Sequence, residues 1–124
     1  MTRVRARVLV ADDEPAVRRV AERVLGREYD VTAVDDGDSV LEQLAARPGF
    51  ALVLLDSAMP RMSGQRVLEL MRERGDATPV VICSGYGDDA GTDAQAFPNL
   101  RGYLAKPYTL AQLLACVAAQ LGAP

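Results

Sequence analysis

The chain has no histidine and no tryptophan among its 124 residues. Without imidazole there is no Ser-His-Asp or Cys-His catalysis and no histidine metal site. The chain cannot by itself be a histidine kinase or a histidine phosphotransfer module. Long hydrophobic runs are missing too. The longest, Leu113 to Ala119, falls far short of the roughly 20 residues that span a membrane. The basic start (Arg3, Arg5, Arg7) meets Asp12 after one short apolar run, which is too little for a secretory signal. Cysteine is scarce: Cys83 and Cys116 stand in apolar runs with no C-x-x-C pattern. Both are read as core residues of a protein in a reducing, cytoplasmic compartment. The net charge of −3 argues against contact with nucleic-acid phosphates. What is present, 49% hydrophobic and 25% charged residues, is a globular composition at a length that suits one domain.

Short apolar runs alternate with amphipathic stretches. The runs are Val8 to Ala11, Ala51 to Leu55, Val80 to Cys83 and Tyr103 to Ala105, with a weaker strand at Asp30 to Val34. Continuous rather than alternating hydrophobicity suits strands buried on both faces, hence a parallel sheet. Pro15 opens a helix with Val17, Val20, Ala21, Val24 and Leu25 on one face and Gly26 at its end. Ser39 with Glu42 reads as a capping box, and so does Thr109 with Gln112. Ser63-Gly64 leads into a third helix carrying Val67, Leu68, Leu70 and Met71. The last helix presents Leu113, Leu114, Val117 and Leu121. Between Gly85 and Arg101, Gly87, Gly91 and Pro98 leave room only for a short or irregular fourth helix. The acidic clusters Asp35-Asp36-Asp38 and Asp88-Asp89 read as solvated loops. The whole is an α/β domain with helices on both faces of a parallel sheet.

The polar residues fall at the carboxyl ends of the strands. Asp12, Asp13 and Glu14 follow the first run, Asp56 the third, Ser84 the fourth, and Lys106-Pro107 the fifth. Ligands of open α/β sheets bind at this edge, where the strand order reverses. If the first and third strands are neighbours, Asp12, Asp13 and Asp56 share one crevice. Three close carboxylates repel unless a cation neutralises them. Oxygen donors without imidazole or thiolate favour Mg²⁺, which keeps waters and accepts phosphate oxygens. A lysine and a hydroxyl facing that cradle point to phosphoryl chemistry. Lys106 is the single lysine among 14 basic residues, as though a narrow pocket required a compact ammonium there.

With V-L-V-A-D-D-E at 8–14, L-L-D-S-A-M-P-R-M-S-G at 54–64, I-C-S-G-Y at 82–86 and Y-L-A-K-P-Y at 103–108, the sequence resembles a two-component response-regulator receiver domain. The likeness covers essentially all of residues 1–124, with the motifs in the family's order and spacing. It implies a flavodoxin-like three-layer sandwich with five parallel strands in the order 2-1-3-4-5. It implies Asp56 as the phosphoacceptor. Asp13 and Asp56 would bind Mg²⁺ through carboxylates, Asp12 would help through a water, and Ala58 would lend its backbone carbonyl. Ser84 and Lys106 would contact phosphoryl oxygens, and Tyr103 would turn inward as Ser84 moves. The Lys106-Pro107 peptide would be cis. The phosphoryl donor would be a sensor histidine kinase or a histidine phosphotransfer protein. The face of the fourth helix, fifth strand and last helix would then control a downstream protein or a fused output domain. No direct contact with nucleic acid or membrane is expected, and the chemistry is on the chain itself, so the protein is not read as an enzyme. Two positions depart from the commonest pattern: Ser57 is polar where many receivers have an apolar residue, and the small Ala58 would leave the site open on that side. The S-G-Y-G after the fourth strand resembles receivers attached to hybrid sensor kinases, so the chain is either a stand-alone receiver or one domain of a larger protein.

Two rival classes exist, a phosphatase and a binding module. A haloacid-dehalogenase phosphatase would need a second Asp two residues after Asp56, and Ala58 stands there. A cobalamin-binding domain of this fold needs a histidine; a flavin-binding domain would be coloured. A phosphorylation-silent receiver serving only as an interaction module usually lacks one of the key positions, and none is missing here.

Overall fold

The computed structural model describes residues 5–85 and 96–122. Five strands, β1 (Arg7–Ala11), β2 (Asp30–Val34), β3 (Leu52–Asp56), β4 (Val80–Ser84) and β5 (Leu100–Ala105), form one parallel sheet in the order β2-β1-β3-β4-β5. Four helices are described: α1 (Pro15–Leu25), α2 (Gly37–Ala46), α3 (Gly64–Glu73) and α4 (Leu110–Leu121). The last of these is the final helix of the sequence. Most of the segment expected to hold a short or irregular helix, with Tyr86, Gly87, Gly91 and the Asp88-Asp89 pair, lies outside the described residues.

The sheet explains the unbroken apolar runs. Successive side chains of a strand point to opposite faces. In β1, Leu9 and Ala11 enter a core with Val53, Leu55, Ile82 and the α2 and α3 residues Val40, Val67 and Met71. Val8 and Val10 enter a second core with Leu52, Leu54, Val81, Leu25 of α1 and Val117 of α4. A strand serving two cores has no position to leave polar until it runs out of sheet. Each fully buried Val or Leu contributes about 1.5–3 kcal/mol. The edge strands differ: β5 alternates buried or half-buried residues with exposed ones. Its pairing with β4 begins at Leu100, three residues before the expected Tyr103, because an edge strand needs no continuous apolar run.

Other sequence expectations need correction. The amino terminus of α2 is capped by Asp36, whose side chain accepts a hydrogen bond from the Ser39 amide, and Ser39 lies inside the helix. An aspartate three residues earlier competes for the same amides and wins the first turn. Asp36 is therefore structural, not simply part of a solvated loop. The box at Thr109 and Gln112 forms as expected, and Ser63 caps α3. Cys116 is half-buried rather than core. Val20 and Leu114 are exposed, since a helix lying over a sheet buries a narrower stripe than its apolar content suggests. No helix among the described residues is long and apolar enough to cross a membrane.

Candidate functional site

Strand order reverses between β1 and β3, and the acidic residues gather beyond the carboxyl ends of these two strands. Asp12 leaves β1 with its amide bonded to Val34 O of β2 at 3.1 Å. Its Oδ1 accepts from the Glu14 amide at 2.9 Å, which directs the chain into α1. Pro15 then takes the first helical position. Asp56 is the last residue of β3, aligned with Cys83 of β4. Asp12 is 3% exposed and Asp56 5%, whereas Asp13 is exposed. One carboxylate oxygen from each of the three lies within 4.8 Å of the others.

Lys106 closes the far side. Its backbone amide bonds to Ser84 O at 2.8 Å, fixing the end of β5 to that of β4. Its Nζ donates to Asp12 Oδ2 at 2.7 Å and sits 3.5 Å from Asp56 Oδ2. The Lys106–Pro107 peptide is cis. Burial works against the lysine's charge, but the hydrogen bond and charge of Asp12, joined by Asp56, outweigh it and hold the proton more tightly than in a free lysine. Asp56 moves the same way: burial raises its proton affinity and the charge of Asp12 adds to this, against the Ala58 amide and Lys106. The site is thus under-neutralised, with three carboxylates and one ammonium. Its donors are all oxygen. Such a set suits a hard divalent cation of the Mg²⁺ kind.

The loop after Asp56 is held close. The Ala58 amide faces Asp56 Oδ1 at 3.3 Å. Ser57 bonds through its amide to Cys83 O and through its carbonyl to the Gly64 amide. Gly64 lets the chain pass closely there, since a Cβ would lie 3.1 Å from Asp56 O and 3.2 Å from Ser57 Cα and the loop would have to give by a few tenths of an ångström. Ser84 is buried at the end of β4. Tyr103, on β5, is 42% exposed and borders an open groove of about 440 Å³ between β5 and α4.

The structure therefore brings Asp12, Asp13, Asp56 and Lys106 together, with Ala58 against Asp56 and Ser84 bonded to Lys106 through its backbone. Tyr103 stands apart, on the outer side of β5. Sequence reasoning missed Arg18, whose guanidinium donates to the Asp12 carbonyl at 2.8 Å. It also missed Tyr108, which lines a cleft beside Lys106 with Glu14, Val17 and Pro107. The Tyr108 of Y-L-A-K-P-Y was a visible signal; an arginine on a charged helix gave none.

The family model for the response regulator receiver domain matches residues 8–118. The chain belongs to that family. The response regulator MprA of Mycobacterium ulcerans is 37% identical over 93% of this receiver, which covers 50% of MprA. The chain thus spans about half the length of the curated relatives it matches. Among solved structures, the signal receiver domain of a putative Luxo repressor protein from Vibrio parahaemolyticus superposes with a TM-score of 0.82 at 25% identity, covering 95% of this chain and 91% of that one. The chemotaxis protein CheY4 of Vibrio cholerae shares the fold, with a TM-score of 0.76 at 22% identity over 94% of this chain and 99% of that one. The protein is a receiver of the two-component kind, with the CheY-like order of five parallel strands.

Proposed function

We propose that Asp56 accepts a phosphoryl group from the phosphohistidine of a sensor kinase or histidine phosphotransfer protein. The observation that carries this reading is the ammonium of Lys106 held between Asp12 and Asp56 at the mouth of a three-carboxylate pocket. A carboxylate oxygen of Asp56 attacks phosphorus in line. The new O–P bond forms as the P–N bond breaks, and the donor's imidazole nitrogen leaves with the electron pair. Lys106 then trades part of its contact with the carboxylates for a phosphoryl oxygen, and Ser84 hydrogen-bonds another. Asp13 and Asp56 would hold Mg²⁺ through carboxylates, with Asp12 behind a water and the Ala58 carbonyl completing the protein's share. When bound, the ion supplies neutralisation of the carboxylates and of the incoming phosphoryl oxygens.

Transfer adds a dianion where a single carboxylate stood. Ser84 moves toward it, Tyr103 swings in from solvent, and the face of β5 and α4 changes its affinity for a downstream protein or an attached output domain. This is a local charge change biasing a two-state element. Water hydrolyses the acyl phosphate and resets the switch. The chain is altered once per cycle and turns over no separate substrate, so it is a switch and not an enzyme, working in the cytoplasm.

Intact mass after incubation with acetyl phosphate and Mg²⁺, beside an Asp56→Asn control, tests the reading. One phosphoryl adduct that needs Mg²⁺ and is absent from the control is expected. An equal adduct on the control removes Asp56 as acceptor. No adduct on either, with no beryllofluoride binding, leaves a phosphorylation-silent module.

A further inference from the structure

The loop between Asp56 and α3 contains a backbone outlier. Arg61 has φ of 66°, and the Met62 amide bonds to Pro60 O at 2.7 Å across it. This is a γ-turn with a left-handed central residue, a rare and strained conformation for a side chain larger than glycine. Such strain persists only where the surroundings hold it. Two contacts do so here, and both belong to the start of α2. The Arg61 guanidinium donates to Asp36 Oδ2 at 2.9 Å. Met62 fills the space over Gly37 so closely that a Cβ on that glycine would lie 2.7 Å from Met62 Sδ and 2.9 Å from Val67 Cγ2. Asp36 divides its two oxygens between these tasks: Oδ1 caps α2 and Oδ2 holds the arginine.

The consequence reaches the phosphoacceptor. The loop is anchored at Ser57 and at Gly64, and its one strained turn lies between. The Ala58 amide that meets Asp56 Oδ1, and the carbonyl of the same residue, lie between Ser57 and that turn, with the buried Met59 linking Ala58 to it. Where the turn is held, Ala58 is placed; where it relaxes, Ala58 moves.

We infer that Arg61 is a positioning residue for the phosphoacceptor centre, clamping the strained turn at 60–62 to Asp36 and thereby setting the Ala58 backbone against Asp56. The inference deepens the proposed function and rests on it for its consequence, though the placement of Ala58 can be read without it. An exposed ion pair contributes modestly, so the effect is expected to be small but specific.

The test uses Arg61→Ala, Arg61→Lys, Asp36→Asn and the double variant Arg61→Ala/Asp36→Asn. Asparagine caps a helix as well as aspartate does, so Asp36→Asn leaves α2 capped while removing the charge. Two quantities are measured: the amide resonance of Ala58 without metal, and the dissociation constant of Mg²⁺. Arg61→Ala and Asp36→Asn should each move the Ala58 resonance and weaken Mg²⁺ by roughly two- to fivefold. The double variant should be no worse than either single one. Arg61→Lys should recover part of the loss. An Ala58 resonance that stays put in both single variants overturns the inference, even if Mg²⁺ weakens, because the charge would then act without the loop. Additive losses in the double variant overturn it as well. A wild type that binds no Mg²⁺ would count against the proposed function, and the Ala58 resonance would still decide the clamp.

Discussion

In the proposed reaction the attacking carboxyl group must be ionised, and Asp56 stands where ionisation is disfavoured. Burial and the neighbouring Asp12 raise its proton affinity, while the Ala58 amide and Lys106 oppose this. A carboxyl with raised affinity in the folded state stabilises the fold at low pH, and that contribution is lost as pH rises through its folded-state titration. At neutral pH without divalent cations, Asp56 is therefore a liability. Asp56→Asn should raise the melting temperature in metal-free neutral buffer by a few degrees, on the order of 1 kcal/mol for one site. Mg²⁺ should stabilise the wild type more than the variant, because a ligand stabilises the state that binds it. Thermal melts with and without Mg²⁺ measure both, and a lower melting temperature for Asp56→Asn would refute the repulsion. Asp12 and Asp56 were legible in the sequence because a strand buried on both faces cannot carry charge until it ends, and Lys106 because it is the single lysine and stands in the Y-L-A-K-P-Y motif. Arg18 and the Arg61–Asp36 pair were not. The Arg61–Asp36 pair depends on where α2 starts relative to a loop 25 residues on, which no local pattern encodes, whereas Arg18 lies only six residues from the Asp12 carbonyl it meets and nothing marks one arginine of a charged helix for that bond.

Elements were legible in proportion to how much of their signal is local. The reciprocal cap at Thr109 and Gln112 needs only four consecutive residues, and it forms. The start of α2 was misplaced because Asp36 and Ser39 both fit the capping pattern, and the contact that favours the earlier start, Gly37 against Met62 and Val67, is tertiary. β5 was clipped because half-exposed residues dilute an edge strand's pattern. These differences allow an experiment that separates scaffold from site. Thr109→Ala removes an exposed cap whose side chain bonds to the Gln112 amide, and should lower stability by about 1 kcal/mol. The extent of phosphoryl labelling at saturating acetyl phosphate should not change. Urea titration and intact mass measure the two; a large loss of labelling would mean that α4 reports to the site even at its first turn.

Among the described residues, Cys83, Lys106 and Tyr108 keep their protons longer folded than unfolded, as Cys116 and, in the acid range, Asp56 also do. Burial pushes the Cys83 thiol from 9.0 up to about 12 and the Tyr108 phenol from 10.0 up to about 12. Burial alone would ease the proton from Lys106, but its bond to Asp12 holds the ammonium above its usual 10.5. All three folded-state affinities are raised, so the stability they contribute is complete below the unfolded values and is lost as pH rises. Unfolding free energy from urea titration should thus fall steadily between about pH 9 and pH 12. The window of Cys83 opens at the lowest pH of the three, so Cys83→Ala should flatten the curve most near its lower end. A stability independent of pH across that range would contradict the burial of these groups.

The bond from Lys106 to Asp12 joins residues 94 positions apart. During synthesis the acidic end of the pocket leaves the ribosome first, and its cation arrives only when β5 has emerged and paired at the sheet edge. A nascent chain halted before that point would carry every carboxylate and yet have no assembled acceptor. On the proposed function, competence to be phosphorylated is therefore acquired only with β5, the outer strand of the described sheet.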